Sequence, residues 1–227
     1  GNSEVTRALA GVIISNVAFL FALYLLYRLT KLDFSEETAR TTVWIAAFFP
    51  TAAFFGAVYT ESLFFLLLLI TFYAARQSNW MAAGICGALA GATRNPAPVI
   101  FASLFIEYAY QLKFNFRKTS YKPIFWIAFV LSGFSGYMLY LYWRFGDALL
   151  TVSSQKYFYR RLAWPWEAVF KDTLDFFTGR GTDIVTLVNL LVVLSAIYFT
   201  VKFYKSVRPS YLLLVAAIVL MHLFNPR

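Results

Sequence analysis

Three stretches of this chain, Ala8 to Tyr27, Thr42 to Val58 and Pro123 to Trp143, contain no Asp, Glu, Lys or Arg. Wound as a helix, an uncharged apolar run of about 20 residues matches the ~30 Å hydrocarbon core of a bilayer. No other feature restricts the fold as much. The composition agrees, since 60% of the 227 residues are hydrophobic and 14% charged, where a soluble domain carries roughly 25% charged residues. Lipid is the solvent such a chain expects. The expected fold class is all-α, a polytopic integral membrane protein with one transmembrane domain over residues 1–227.

Eight apolar segments are read as about eight membrane helices: Ala8 to Tyr27, Thr42 to Val58, Ser62 to Ala75, Trp80 to Thr93, Ala97 to Gln111, Pro123 to Trp143, Ile184 to Val201 and Ser210 to Phe224. The third, fourth and fifth are too short for a straight span and are expected to be tilted or half-buried. Pro50, Pro96 and Pro98 break or begin helices inside apolar sequence, which frees backbone groups that need protein partners or a wet cavity. An outer-side cavity follows. Gly87 and Gly91, with Ala83 and Gly84, offer a smooth face for close helix packing. The sequence opens at Gly1 without a signal-peptide pattern and closes on an apolar run without a polar tail, so it is expected to be a fragment cut at both ends.

Basic residues orient the frame. Taking Lys113, Arg117, Lys118 and Lys122 as cytoplasmic, strict alternation adds Arg28, Lys31, Arg40, Arg76, Lys202, Lys205 and Arg208 to that side. Arg7, Arg94 and Arg227 fall outside, with the long outer loop over residues 145–183. Trp44, Trp80 and Trp126 are expected near cytoplasmic helix ends and Trp143 near an outer end, at headgroup level. Within the outer loop, Pro165 suits a first helical position, and Trp166, Phe170, Leu174 and Phe177 recur at helical spacing until Gly179. An amphipathic interfacial helix is expected there.

Several chemistries are excluded early. One cysteine, Cys86, and one histidine, His222, leave neither a disulfide framework nor zinc-like spacing, so redox and structural zinc chemistry are not expected; no metal ligand or cofactor is assigned, and the sequence leaves metal dependence open. The net charge of +9 reflects topology and not nucleic acid, for no binding motif accompanies it. Two charges stand at the ends of apolar segments, Glu61 and Arg94. A mid-membrane arginine costs roughly 2.5–3.5 kcal/mol, so each requires a partner or a task. They are read either as an ion pair pinning two helical hairpins or as part of a site, for alternation puts both on the outer face near the amphipathic loop.

The residues around them carry a resemblance. Phe49-Pro50, then Ala57-Val58-Tyr59-Thr60-Glu61-Ser62-Leu63-Phe64, and later Ala92-Thr93-Arg94-Asn95 resemble the PIG-V-type mannosyltransferases, GT-C membrane enzymes that include the second mannosyltransferase of GPI-anchor synthesis and its bacterial relatives. The likeness extends more loosely over Phe145-Gly146-Asp147, Gln155 and Trp164-Pro165-Trp166. It implies transfer of a sugar, mannose first, with inversion, from a polyprenyl-phosphate carrier to a glycan or glycolipid acceptor. The reaction would run at the outer face of a bacterial plasma membrane or the lumenal face of the endoplasmic reticulum. Glu61 and Arg94 are then the candidate catalytic residues. Tyr59, Asn95, Gln155, Lys156, Arg160 and Arg161 are the candidate substrate-binding ones, the arginines because a guanidinium fork matches phosphate oxygens. The family's acid lies in an upstream Trp-Asp motif, and no Trp-Asp pair occurs in this sequence. A transporter or flippase of lipid-linked substrates, and a non-catalytic subunit of a membrane complex, are the alternatives.

Overall fold

The computed structural model of the chain describes residues 2–49, 52–94, 96–154 and 184–223, and every element among them is helical. In chain order these are α1 (Asn2–Thr30), α2 (Glu36–Phe48), α3 (Ala53–Gly56), α4 (Glu61–Arg76), α5 (Trp80–Thr93), α6 (Ala97–Gln111), α7 (Tyr121–Phe145), α8 (Leu150–Ser153), α9 (Ile184–Phe203) and α10 (Pro209–Leu223), with a 3-10 turn at Phe116–Lys118. Each expected apolar segment overlaps helix among the described residues, but eight apolar segments are not eight spans. Among the described residues, α1 and α7 are the helices long and apolar enough to cross a membrane. At 16, 14 and 15 residues, α4, α5 and α6 reach about 21–24 Å.

The second segment differs from expectation. Its helix begins earlier, because Ser35 accepts the Thr38 N–H as N-cap and Glu36 and Glu37 fill a first turn that favours acid. It also ends earlier, at Phe48, since Phe49 is extended, as a residue before proline prefers. Starting from Glu36, the helix carries Trp44 away from the basic end, where it stacks on Phe48. Trp80 does lie at that end, but it is buried edge-on against Tyr108 and forms no belt.

The chain divides into two compact units, Gly1–Gly136 and Tyr137–Arg227. In the first, α4 packs on α1 and α5, and the core is built from Leu68, Leu69, Phe72, Ile100, Leu104, Ile127 and Val130. Small residues let α5 approach its neighbours closely. A Cβ on Gly87 would meet Val130 Cγ2 at 2.9 Å and one on Gly91 would meet Ala97 Cβ at 2.7 Å, while Gly84 lies on the Trp126 carbonyl and Gly133 on the Ala88 carbonyl. The expected packing face is therefore used. The faces of α1 are reversed relative to a helix in water. Ser15, Ala18 and Ala22 are buried, while Ile13, Leu20 and Phe21 are exposed.

One end of this unit gathers the basic residues. Arg28 donates to the hydroxyls of Tyr24 and Tyr73 at 2.8 and 2.9 Å, which ties the end of α1 to that of the parallel helix α4. Beyond it, Lys31 and Arg40 hold the Glu36 carboxyl below the usual carboxylate range through hydrogen bonds and charge.

In the second unit, Gly146 ends α7 with φ +74, and Asp147 accepts from the Leu149 N–H and the Ser153 hydroxyl to start α8. The Phe145-Gly146-Asp147 stretch thus has a capping task. Helices α9 and α10 pack together across the turn at 204–208.

Candidate functional site

The site begins where regular backbone fails. Between α3 and α4, residues 57–60 are neither helix nor strand, in a stretch of uncharged sequence. A bare carbonyl in such surroundings costs several kcal/mol unless protein or water meets it. Three side chains do so here, for Asn16 Nδ2 donates to the Gly56 carbonyl at 3.2 Å, Ser15 Oγ to that of Tyr59 at 3.4 Å, and the buried Ser62 Oγ to that of Phe55. The polar pair in the middle of α1 exists for this break.

These bonds also fix its level. Ser15 stands about 18 Å along α1 from Ser3, so the turn into α4 lies beside the middle of α1 and not at its N-terminal tip. Glu61 is the first residue of α4, and the bonds to Ser15 and Asn16 put that helix start beside the middle of α1. Residues 3–10 of α1, beyond this level, are all exposed.

Glu61 opens α4, where a carboxylate complements the helix dipole. Arg94 closes α5 in extended conformation, its N–H bonded to the Ala90 carbonyl, and Pro96 and Pro98 start α6 directly after it. Tight packing of Gly91 on Ala97 folds this corner sharply. The two corners meet in a single contact, with Arg94 Nη1 donating to Glu61 Oε1 at 2.8 Å and side chains 45% and 31% exposed. Two features distinguish the pair. The Nη2 and Nε edges of Arg94 have no partner among the described residues, and Glu61 Oε2 is buried without one. Among the described residues, the guanidinium is held on one side and open on the other.

Of the remaining expected residues, Tyr59 lies in the break, 57% exposed, its ring 6.2 Å from that of Phe54. Asn95, Gln155, Lys156, Arg160 and Arg161 lie outside the described residues, as do Pro50 and the expected interfacial helix from Pro165 to Gly179.

A second charged cluster was not anticipated. At the basic end, Arg76 of α4 bonds both carboxylate oxygens of Asp33, with Nη2 to Oδ1 at 2.9 Å, and its Nε faces Glu107 Oε1 of α6 at 3.7 Å. Gln111 completes it, donating to Glu107 at 3.0 Å and to the Ala75 carbonyl at 2.9 Å. Glu107 is fully buried. The signal was present in the sequence, for Glu107 is a carboxylate inside an apolar helix and needs a partner just as Glu61 does.

Comparison of the chain with protein-family models, curated proteins and solved structures finds no match.

Proposed function

We propose that the chain is a multi-pass membrane protein and the carrier-binding part of a polyprenyl-phosphate-dependent glycosyltransferase. The observation that carries this reading is the Arg94 guanidinium, clamped by Glu61 on one edge and free on the other among the described residues, at a backbone break beside the middle of α1. The reversed faces of α1 support the membrane setting, since large apolar groups outward and small or polar groups inward suit lipid. In this reading Glu61 is a positioning residue. It presents the outer fork of Arg94 to the departing phosphate, where charge grows as the sugar leaves.

Transfer with inversion also needs a carboxylate to take the acceptor proton. The resemblance to PIG-V-type enzymes assigns that task to a Trp-Asp motif, and no Trp-Asp pair occurs in this sequence. Tyr59 and Asn95 flank the pair in sequence and serve the substrate, and Gln155, Lys156, Arg160 and Arg161 contribute from the outer loop. The membrane is the plasma membrane of a bacterium or the endoplasmic reticulum. Glycan or glycolipid is the acceptor.

The test uses full-length protein with polyprenyl-phosphate-mannose as donor. Arg94→Ala is expected to lose about a hundredfold or more in turnover, the usual cost of one donor to a developing anion, while folded yield in detergent stays near wild type. Arg94→Lys keeps the charge but not the fork, and its turnover should fall between the two. Wild-type turnover in Arg94→Ala rejects phosphate binding there. A lipid-linked-substrate carrier is the second reading, favoured by the discontinuous α2–α3 helix. It predicts movement of the lipid across vesicles without sugar transfer.

A further inference from the structure

Helix α6 ends at the basic end of the first unit, and it does not end on a glycine. Lys113 takes the left-handed position with φ +52, its N–H bonding the Tyr110 carbonyl and that of Phe114 the Ala109 carbonyl, the paired bonds of a Schellman ending. A side chain there is strained relative to glycine. Phe114 then adds a second positive φ, +56, although both bonds are already complete before its Cα.

The segment that follows is tied down. Asn115 accepts the Arg117 N–H at 3.3 Å, and the Tyr108 hydroxyl, beside buried Trp80, accepts the Ser120 N–H at 2.9 Å. Strain kept in a segment so well fixed points to a task outside the fold. Its products are visible on the surface. Phe114, Phe116 and Tyr121 are 54%, 57% and 77% exposed, with Lys113, Arg117 and Lys122 exposed among them. No Asp or Glu occurs between Glu107 and Asp147 to neutralise these cations. Tyr121 is also the first residue of α7, one of the helices long enough to span, so the loop continues directly into a membrane-length helix.

We infer that residues 112–122 form a docking surface for anionic phospholipid, with Phe114 and Phe116 entering the acyl boundary while Lys113, Arg117 and Lys122 hold headgroup phosphates. Rings and cations interleaved at a span's end match the layered chemistry of an anionic leaflet. A loop that is basic for topology alone needs neither exposed rings nor a strained, fixed backbone. The inference rests on the membrane reading and not on sugar transfer, for the loop lies at the opposite end of the unit from Glu61 and Arg94.

The experiment uses the full chain in a Cys86→Ala background, reconstituted in vesicles of equimolar phosphatidylcholine and phosphatidylglycerol, with one lipid or the other brominated on its acyl chains. A fluorophore on Phe116→Cys reads the lipid at the loop. One on Phe34→Cys reads a more acidic turn at the same end, and one on Ile13→Cys reads plain lipid contact on α1. Brominated phosphatidylglycerol should quench position 116 about fivefold more strongly than brominated phosphatidylcholine, the enrichment expected from a single headgroup-level cation. Positions 34 and 13 should show near-equal quenching. The preference should vanish when Lys113, Arg117 and Lys122 are all replaced by Gln. Equal quenching at 116, or a preference that survives the triple replacement, overturns the docking surface. No quenching at position 13 by either lipid overturns the membrane reading itself.

Discussion

Glu61 with Arg94 and Glu107 with Arg76 are both ion pairs between helices, yet burial gives them opposite tasks. The Arg76 and Glu107 side chains are 8% and 0% exposed, with Arg76 bonded to Asp33 and facing Glu107, which also accepts from Gln111. Removing one member of a buried pair strands the other and costs about 3–5 kcal/mol, whereas replacing both with apolar groups of similar volume is often near neutral. Arg76→Met is therefore expected to lose about that much stability, and Arg76→Met with Glu107→Leu to recover a large part of it. The Arg94 and Glu61 side chains are 45% and 31% exposed, so cutting Arg94 to Ala should cost less than the Arg76 change even though one carboxylate oxygen of Glu61 is buried. Unfolding measured in detergent for both double-mutant cycles checks this. A loss at Arg94 as large as that at Arg76, rescued by removing Glu61 as well, would make the outer pair a structural pin.

At the scale of elements, α5 is defined by what its residues lack. Gly84 and Gly87 leave room for Trp126 and Val130 of α7, and Gly133 of α7 leaves room for the Ala88 carbonyl. A methyl at Gly133 would overlap backbone, which cannot move without shifting a helix, while one at Gly136 meets nothing within 4 Å. Gly133→Ala should thus destabilise by about 1–3 kcal/mol or more, and Gly136→Ala should be neutral or slightly stabilising through helix propensity. Thermal unfolding of the two variants side by side tests the contrast, and equal effects would reject close α5–α7 packing. The glycine face was legible because GxxxG spacing has one simple use between helices. The start of α2 was not, because the apolar window begins at Thr42 while the helix starts at the Ser35 cap, in polar sequence that hydropathy ignores. Likewise, the α4 and α6 endings use Ser78 and Lys113 in left-handed geometry, so no glycine marked them. Ser15 and Asn16 were read as part of an apolar run, and only the break they serve explains them.

For the whole molecule, the first unit offers a physical basis for a membrane topology. Arg28, Lys31, Arg76 and Lys113 lie at one end of it, through Arg28 on Tyr73, Arg76 on Asp33 and Gln111 on Ala75, while Arg94 lies at the other. Basic residues held together at helix ends stay on the side where translocation is resisted, so this end is expected to face the cytoplasm. Continuing the alternation through α7, α9 and α10 puts Lys118 and Lys205 on that side and Arg161 on the other. Three single cysteines at these positions in a Cys86→Ala background, exposed to a membrane-impermeant thiol reagent in intact cells, should label only at 161, with 118 and 205 labelling after lysis. The depth of the break adds a second requirement. Tyr59 is joined through its carbonyl to Ser15, about 18 Å along α1 from Ser3, so a cysteine at 59 should react from the outside more slowly than one at 3. Labelling of 118 and 161 from the same side would overturn the orientation, and with it the placing of Arg94 and the outer-loop arginines on one face. Equal rates at 3 and 59 would leave the orientation standing but raise the ion pair to the surface, where its charge carries no desolvation cost and its partner needs no special explanation.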